Sequence, residues 1–384
     1  LSLEGLLVAE YRIPSSVWGD RRTIHIYKDA GSWVKYKVPL KVEGLKAHRN
    51  KLPEGVTSIS EAEDLIRSVD LKEFNVASRV VGILSRLDLP RRRPTEDALR
   101  RDFELLVQAK GEILSTGQIL ATSNAGFLLC DTFYEHMREA RYRGNPSLKE
   151  AWGDPRWLYR AVQFQLKVGD PLLPWNVLRA LKAILRAPSN MRPAVAKLLV
   201  ESYCPVEGLV LDPCAGFGGR FLGASAAGRK YLGVDPHPKA AESAKGLAVQ
   251  IGVEGSPVTT GAFEDVDLGN IQADMAVTSP PYFAAEVYAE EANQSATRYP
   301  RWDLWREGFL RSLLRKTYTH LRPGAVFCLN VSNVKIRKVT FPIVSDSVQL
   351  AKEAGFEYDN TLYMPLKQLS KKRNPEPVLV FRKP

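Results

Sequence analysis

The chain has 384 residues, 45% of them hydrophobic and 25% charged, and a net charge of +11. That length is long for one domain and right for two, and the make-up is that of an ordinary globular protein. No apolar run approaches the ~20 residues that span a bilayer, so a membrane role is not expected.

The charge is uneven. Residues 1–200 hold 32 Lys and Arg against 23 Asp and Glu, while residues 201–384 hold 22 against 20. A basic N-terminal half favours a polyanionic partner, and nucleic acid is the usual one. The first fifty residues read as β-rich, with 22–27 and 33–38 alternating in strand fashion around an Ala30-Gly31-Ser32 turn. Helical spacing follows over 58–74 and 95–114, with starts at Ser60-Glu61 and at Thr95-Glu96-Asp97. Between them, Pro90 and Pro94 bracket Arg91, Arg92 and Arg93, which read as an exposed linker or a phosphate contact. Residues 127–145 and 155–167 read as helices rich in aromatic and basic side chains, and His136 as a packing or surface residue. Two more helices, 177–186 and 193–203, flank the expected domain boundary between residues 185 and 186.

From Gly208 the texture changes. Short apolar strands at 208–212, 230–235, 257–260, 273–278 and 325–331 alternate with helices at 221–228, 238–251, 303–320 and 343–354. Two late strands follow at 358–363 and 378–382. This alternation predicts an α/β fold, a doubly wound, seven-stranded, mainly parallel sheet over 186–384, behind an α+β domain over 1–185.

Two strand ends carry the chemistry. The first strand runs into Asp212-Pro213-Cys214-Ala215-Gly216-Phe217-Gly218-Gly219, a glycine-rich turn over which a ligand can approach the backbone. It opens with an acid, which suits a cationic group better than a pyrophosphate. The second strand ends in Asp235, placed to take the hydroxyls of a ribose. Together they describe a nucleoside with a cationic amino-acid tail, S-adenosylmethionine. The strand 273–278 ends in Thr278-Ser279-Pro280-Pro281-Tyr282-Phe283, where two prolines stop the pairing and fix a polar residue and a ring at the sheet's edge.

In this order, Asp212–Gly219, Asp235, Gly261-Ala262-Phe263-Glu264-Asp265 and Ser279-Pro280-Pro281-Tyr282 resemble the class I S-adenosylmethionine-dependent DNA amino-methyltransferases, over roughly residues 186–384. The resemblance implies a methionine end of the donor over Asp212, Ala215, Gly216 and Gly218. It implies a ribose contact at Asp235 and an adenine-side contact at Phe263 or Glu264, with Asn190 in a looser pre-domain cofactor segment. It also implies a target pocket at Ser279, Pro280, Pro281 and Tyr282. There the serine hydroxyl and the Pro280 carbonyl accept hydrogen bonds from an exocyclic amine, and Tyr282 offers a stacking face to a base that has left its duplex. Ser279 leans, in that family, toward cytosine N4 over adenine N6.

The resemblance needs no metal, and no zinc is expected of Cys130, Cys204, Cys214 and Cys328, which are widely scattered. Four cysteines suit a reducing, cytoplasmic setting. Nor does the start, Leu1-Ser2-Leu3-Glu4, read as a signal peptide. The loop 286–295, with Glu286, Tyr288, Glu290 and Glu291, is expected to close over the base, with Arg298 and Tyr299 near its end. Lys367, Lys371, Lys372 and Arg373 are expected at phosphates or in solvent, and the basic N-terminal domain at DNA. The competing readings are an RNA or protein amino-group methyltransferase, transfer of another group from a similar donor, and a nucleic-acid-binding module without turnover. Asn-Pro-Pro-Tyr enzymes of the first kind have Asn where this chain has Ser279.

Overall fold

The computed structural model describes residues 58–69, 76–255, 257–289, 292–364 and 375–384 in full, and the backbone of 6–12, 23–28 and 34–36. The Ala30-Gly31-Ser32 turn, Glu290, Glu291, Lys367, Lys371, Lys372 and Arg373 lie outside the described residues.

The chain divides into two compact units, Leu1–Arg91 with Asn145–Ala187, and Arg92–Gly144 with Pro188–Pro384. The single cut expected at 185/186 is thereby corrected: 92–144 belongs with the C-terminal unit. The reason is packing. Leu106, Ile119, Leu129 and Tyr134 from this segment are fully buried in one core with Val210, Met275 and Val277 of the sheet.

The first unit has an antiparallel sheet of Leu6–Arg12, Thr23–Lys28 and Val34–Tyr36, in that order. Its helices are Ile59–Arg67, Val76–Leu84, Leu148–Trp152, Pro155–Val168 and Pro174–Leu185. They share a core that includes Ile83, Leu84, Leu158 and Leu181. The first helix is capped by Ser58 rather than Ser60, in a reciprocal capping box with Glu61.

The second unit holds a seven-stranded sheet. Its strands in chain order are β1 (Leu209–Asp212), β2 (Lys230–Asp235), β3 (Val258–Thr260), β4 (Ala273–Thr278), β5 (Leu321–Asn330), β6 (Glu357–Met364) and β7 (Glu376–Arg382). They lie in the order β6-β7-β5-β4-β1-β2-β3. β1 pairs in parallel with β2 and β4, β2 with β3, and β4 with β5, while β7 runs antiparallel to both β5 and β6. The doubly wound, mainly parallel α/β fold expected from the sequence is the one observed.

Alternation builds the two faces. Val210, Met275, Val277, Val326 and Cys328 point to one core, with Val195 of helix α1 (Pro193–Tyr203), Leu222 of α2 (Gly219–Ala226) and Ala244 of α3 (Pro238–Gln250). Leu211, Ala276, Phe327 and Leu329 point to the other, with Leu313 and Leu314 of Arg311–Thr319 and Leu350 of Ile343–Ala354.

The strand order reverses between β1 and β4. That is the switch point of the sheet, and the crevice beyond the carboxyl ends of these strands is where such folds hold ligands. Asp212 ends β1 and Thr278 ends β4.

Candidate active site at the switch point

Asp212 is held inside the protein rather than at the cavity wall. It is fully buried, and its carboxylate is already engaged. Oδ2 accepts from Arg220 Nε at 2.7 Å and from the Tyr231 hydroxyl at 2.6 Å. Oδ1 accepts from the Thr278 hydroxyl at 2.8 Å and from the Cys214 N–H at 3.2 Å. The residue therefore ties β1 to β4 across the switch point and holds the turn to α2. Burial acts to lower the Arg220 pKa, but Asp212 and Tyr231 outweigh it and keep the guanidinium protonated.

A cavity of about 440 Å³ opens beside this knot, and from the turn it is lined by Pro213, Cys214, Gly216, Phe217 and Arg220. Of the predicted turn residues, Gly216 lines the cavity, while Asp212, Ala215 and Gly218 do not. Ala215 is buried, its N–H donating to the Val234 carbonyl at 2.9 Å. Gly218 has φ +80°, and a Cβ there would sit 2.4 Å from the Tyr134 ring. The glycine there lets that ring pack on the turn. Gly216, at φ +60°, has no atom within 3.4 Å of a Cβ position, so its glycine serves the left-handed turn itself.

Asp235, Asn190, Phe263 and Glu264 all line the cavity. Asp235 Oδ2 accepts from the Gly216 N–H at 2.8 Å, and Oδ1 from the His237 N–H at 2.9 Å. Each oxygen keeps a second lone pair for a further donor. Burial pushes the Asp235 pKa up to about 6. The Asn190 amide donates to the Phe217 carbonyl at 2.7 Å and fastens the segment before α1 to the turn. The Glu264 pKa is raised by burial, against Arg298 at 3.5 Å. Arg298 therefore turns to Glu264 and Asp265.

At the other end, Ser279, Pro281 and Tyr282 line the same cavity, and Pro280 does not. The turn is clamped on both sides. Phe283, buried at φ +52°, packs edge-on against Trp302 and Trp305 and against Phe341, with centroids 5.0 to 5.8 Å apart. That left-handed backbone is costly for a non-glycine residue and persists because the aromatic cluster fixes it. Behind the cluster, Trp305–Leu310 is π-helical and brings Phe309 to the cavity.

Tyr282 is fixed by two carboxyls. Its hydroxyl donates to Glu376 Oε1 at 2.6 Å, and its N–H donates to Glu286 Oε2 at 3.2 Å. Glu286 Oε2 also accepts from the Tyr288 hydroxyl at 2.9 Å. Burial, with Glu376 adding, pushes the Glu286 pKa up to about 7. Within the loop expected over the base, Glu286–Val287 is a strand paired antiparallel with Arg141–Tyr142, and Asn293, Gln294 and Ser295 line the cavity. The helix expected over 127–145 is consequently broken into Phe127–Phe133, a 3-10 turn at Glu135–Glu139 and this strand.

Sequence reasoning missed Glu376, Asn330, Arg220 and the lining role of His136. His136 is buried edge-on to His237 at 4.7 Å; burial, then His237, lowers its pKa to about 4. Only the arginine had a local signal, eight residues after Asp212 and so on the first turn of α2. Among the described residues no group of three His, Cys, Asp or Glu could hold a metal, and no helix is long and apolar enough to cross a membrane.

Fold and site thus define an α/β unit with a cavity at its switch point. No protein-family model matches the chain. Over 120 residues it is 28% identical to the type II methyltransferase M.MjaVI of Methanocaldococcus jannaschii, covering 31% of this chain and 59% of that protein. The match therefore spans less than two thirds of that relative's length. Similar solved structures include a methyltransferase from Pyrococcus furiosus, at 14% identity, TM-score 0.36, and 53% and 93% coverage of this chain and that one. TrmN from Thermus thermophilus matches at 15% identity, TM-score 0.35, and 56% and 68% coverage. At such scores these likenesses bear on neither fold nor reaction.

Proposed function

We propose that this chain transfers a methyl group from S-adenosylmethionine to an exocyclic amino nitrogen of a DNA base, N4 of cytosine ahead of N6 of adenine. The observation that carries the proposal is the single cavity that joins Gly216 and Asp235 at one end to Ser279 and Tyr282 at the other. A donor held at the first end would present its methyl group toward the second. Similarity to a type II methyltransferase agrees with this reading.

The residues present fit the donor. Asp235 would take the ribose hydroxyls. Asn293 Oδ1 and Gln294 Nε2 are buried without a hydrogen-bond partner, an acceptor and a donor that match the amino group and ring nitrogen of an adenine. Arg220 suits the carboxylate of the amino-acid tail, a role that Asp212 cannot fill for the ammonium because its oxygens are engaged. When bound, S-adenosylmethionine supplies an electrophilic methyl group on a sulfonium.

The target's amine is a poor nucleophile because its lone pair is delocalised into the ring. Ser279 Oγ and the Pro280 carbonyl would draw its hydrogens out of plane, and the diproline keeps these acceptors preorganised. Tyr282, held at both its hydroxyl and its N–H, gives a fixed face for the base. Positioning then supplies most of the acceleration.

DNA fits the basic first unit, whose residues 1–91 and 145–187 hold 22 Lys and Arg against 15 Asp and Glu. The unit would contact phosphates of the duplex that supplies the extruded base. The test is transfer of labelled methyl to DNA, RNA and protein side by side. DNA should be labelled, and Ser279→Ala or Tyr282→Ala should cut the rate about 10²-fold or more. Label only in RNA or protein would overturn the proposal.

A further inference from the structure

Two carboxyls hold Tyr282, one at each end. Glu286 Oε2 accepts from the Tyr282 N–H at 3.2 Å, and Glu376 Oε1 accepts from the Tyr282 hydroxyl at 2.6 Å. Glu286 is therefore the carboxyl on the backbone side, where the turn also presents Ser279, and all four residues line one cavity. Strand pairing fixes its place. Glu286 stands opposite Tyr142, and the Arg143 N–H donates to the Ala285 carbonyl at 2.7 Å. The two oxygens of Glu286 are not equivalent. Oε2 also accepts from the Tyr288 hydroxyl at 2.9 Å, so both its lone pairs are taken. Among the described residues, Oε1 accepts no hydrogen bond and no Lys or Arg pairs with the carboxyl.

A partly buried carboxyl without a cation favours its neutral form. Its proton then belongs on Oε1, because Oε2 already receives two donors. Glu286 thus offers one O–H donor at the cavity wall. A target base needs such a donor at one place. Beside the exocyclic amine of cytosine or adenine lies a ring nitrogen whose lone pair is in the ring plane and not delocalised. That nitrogen is the stronger nucleophile of the two, so a methyl donor held near the amine can alkylate it instead. We infer that Glu286, in its acid form, donates from Oε1 to this ring nitrogen, reading the base and keeping the methyl group off the wrong atom. The inference rests on the amino-methyl transfer proposed above. In the suppressed reaction the ring nitrogen's lone pair would form the N–C bond, the S–C pair would stay on sulfur, and the ring would keep a positive charge. At the amine the same displacement ends with one N–H proton released to solvent. Glu286 transfers no proton.

The titratable groups facing Glu286 among the described residues are Tyr282 from the turn, Tyr288 beyond its own strand, Glu376 from β7 and Tyr142 across the ladder. Burial raises its pKa to about 7, and a base that accepts its proton in a hydrogen bond raises it further. The donor is present below the pKa and lost as pH rises through it. In wild type, ring-nitrogen methylation should therefore grow as pH climbs past about 7.

The experiment methylates DNA with wild type, Glu286→Ala and Glu286→Gln on either side of that pKa, at about pH 6 and about pH 8.5. Chromatography and mass spectrometry of the nucleosides then give the ratio of ring-nitrogen to amine product. Only folded enzyme makes either product, so a loss of stability does not alter the ratio. Glu286→Ala should raise it about 10-fold or more at the lower pH. In Glu286→Gln the Tyr282 N–H fixes the amide oxygen in the Oε2 position, so the amide's amino group replaces the lost O–H donor. That variant should match wild type at the lower pH and hold the same ratio at the higher, where wild type loses it. A ratio unchanged in Glu286→Ala overturns the inference while leaving the proposed function standing. So does a Glu286→Gln enzyme whose ratio follows Glu286→Ala. Methylated RNA or protein beside unmodified DNA overturns the function and the inference with it.

Discussion

Arg220 Nε donates to Asp212 Oδ2 at 2.7 Å, and both side chains are buried. The pair joins the end of the first strand to the first turn of α2, and Thr278 and Tyr231 complete it. An acid that looks like a ligand contact is thus a brace. Removing its charge should leave Arg220 buried without a counter-ion. Asp212→Asn is expected to cost about 3–5 kcal/mol in denaturant unfolding. Donor affinity in the folded fraction should fall far less than with Asp235→Asn. Equal loss of affinity in the two variants would restore Asp212 to the ligand site.

Gly218→Ala tests the packing account of the turn. A methyl group would meet the Tyr134 ring at 2.4 Å, at a φ of +80°. Strain and overpacking together should destabilise the unit by about 2–4 kcal/mol. Pairing the change with Tyr134→Ala, which vacates that space, should cost less than the sum of the two single changes. Additive losses would count against the contact.

The pH dependence of stability has a defined sign. Asp235 and Glu286 are raised, chiefly by burial, to about 6 and about 7. A carboxyl with a folded pKa above its unfolded one binds more protons in the native state, so stability falls as pH rises between the two values. Glu286→Gln should flatten the curve between about pH 4.5 and 7. At pH 8 it should be more stable than wild type by on the order of 1–2 kcal/mol. Urea titrations at pH 5 and pH 8 measure this, and parallel curves for the two proteins would contradict it.

His136 acts in the opposite direction. Burial, then His237, lowers its pKa to about 4, so it stays neutral in the folded protein where the unfolded chain would already be charged. Stability is lost as pH falls from about 6.5 toward 4. Following its ring protons by NMR should show no protonation at pH 5.5. A midpoint near 6.5 would contradict the burial argument.

The sheet was legible because its strands are short apolar runs separated by helices, and the side chains of Val210, Leu211, Met275 and Ala276 alternate between two cores. Asp235, Gly216, Ser279 and Tyr282 were legible because each stands at the end of a strand or on the turn behind one. What stayed hidden is non-local. Nothing near Asp212 in sequence announces Thr278, and nothing near Tyr282 announces Glu376; only the strand order brings them together. The split at 185/186 erred for the same reason. The helices of 92–144 carry apolar faces that fit either unit by pattern, and Leu106 and Leu129 bury them in the second.

The proposed reaction is methyl transfer to an amino group of a DNA base. Mass spectrometry of nucleosides from DNA methylated by the purified protein tests it most directly. Wild type should yield N4-methylcytosine, and Ser279→Ala should lose it. Unmodified DNA nucleosides beside methylated RNA or protein would contradict it.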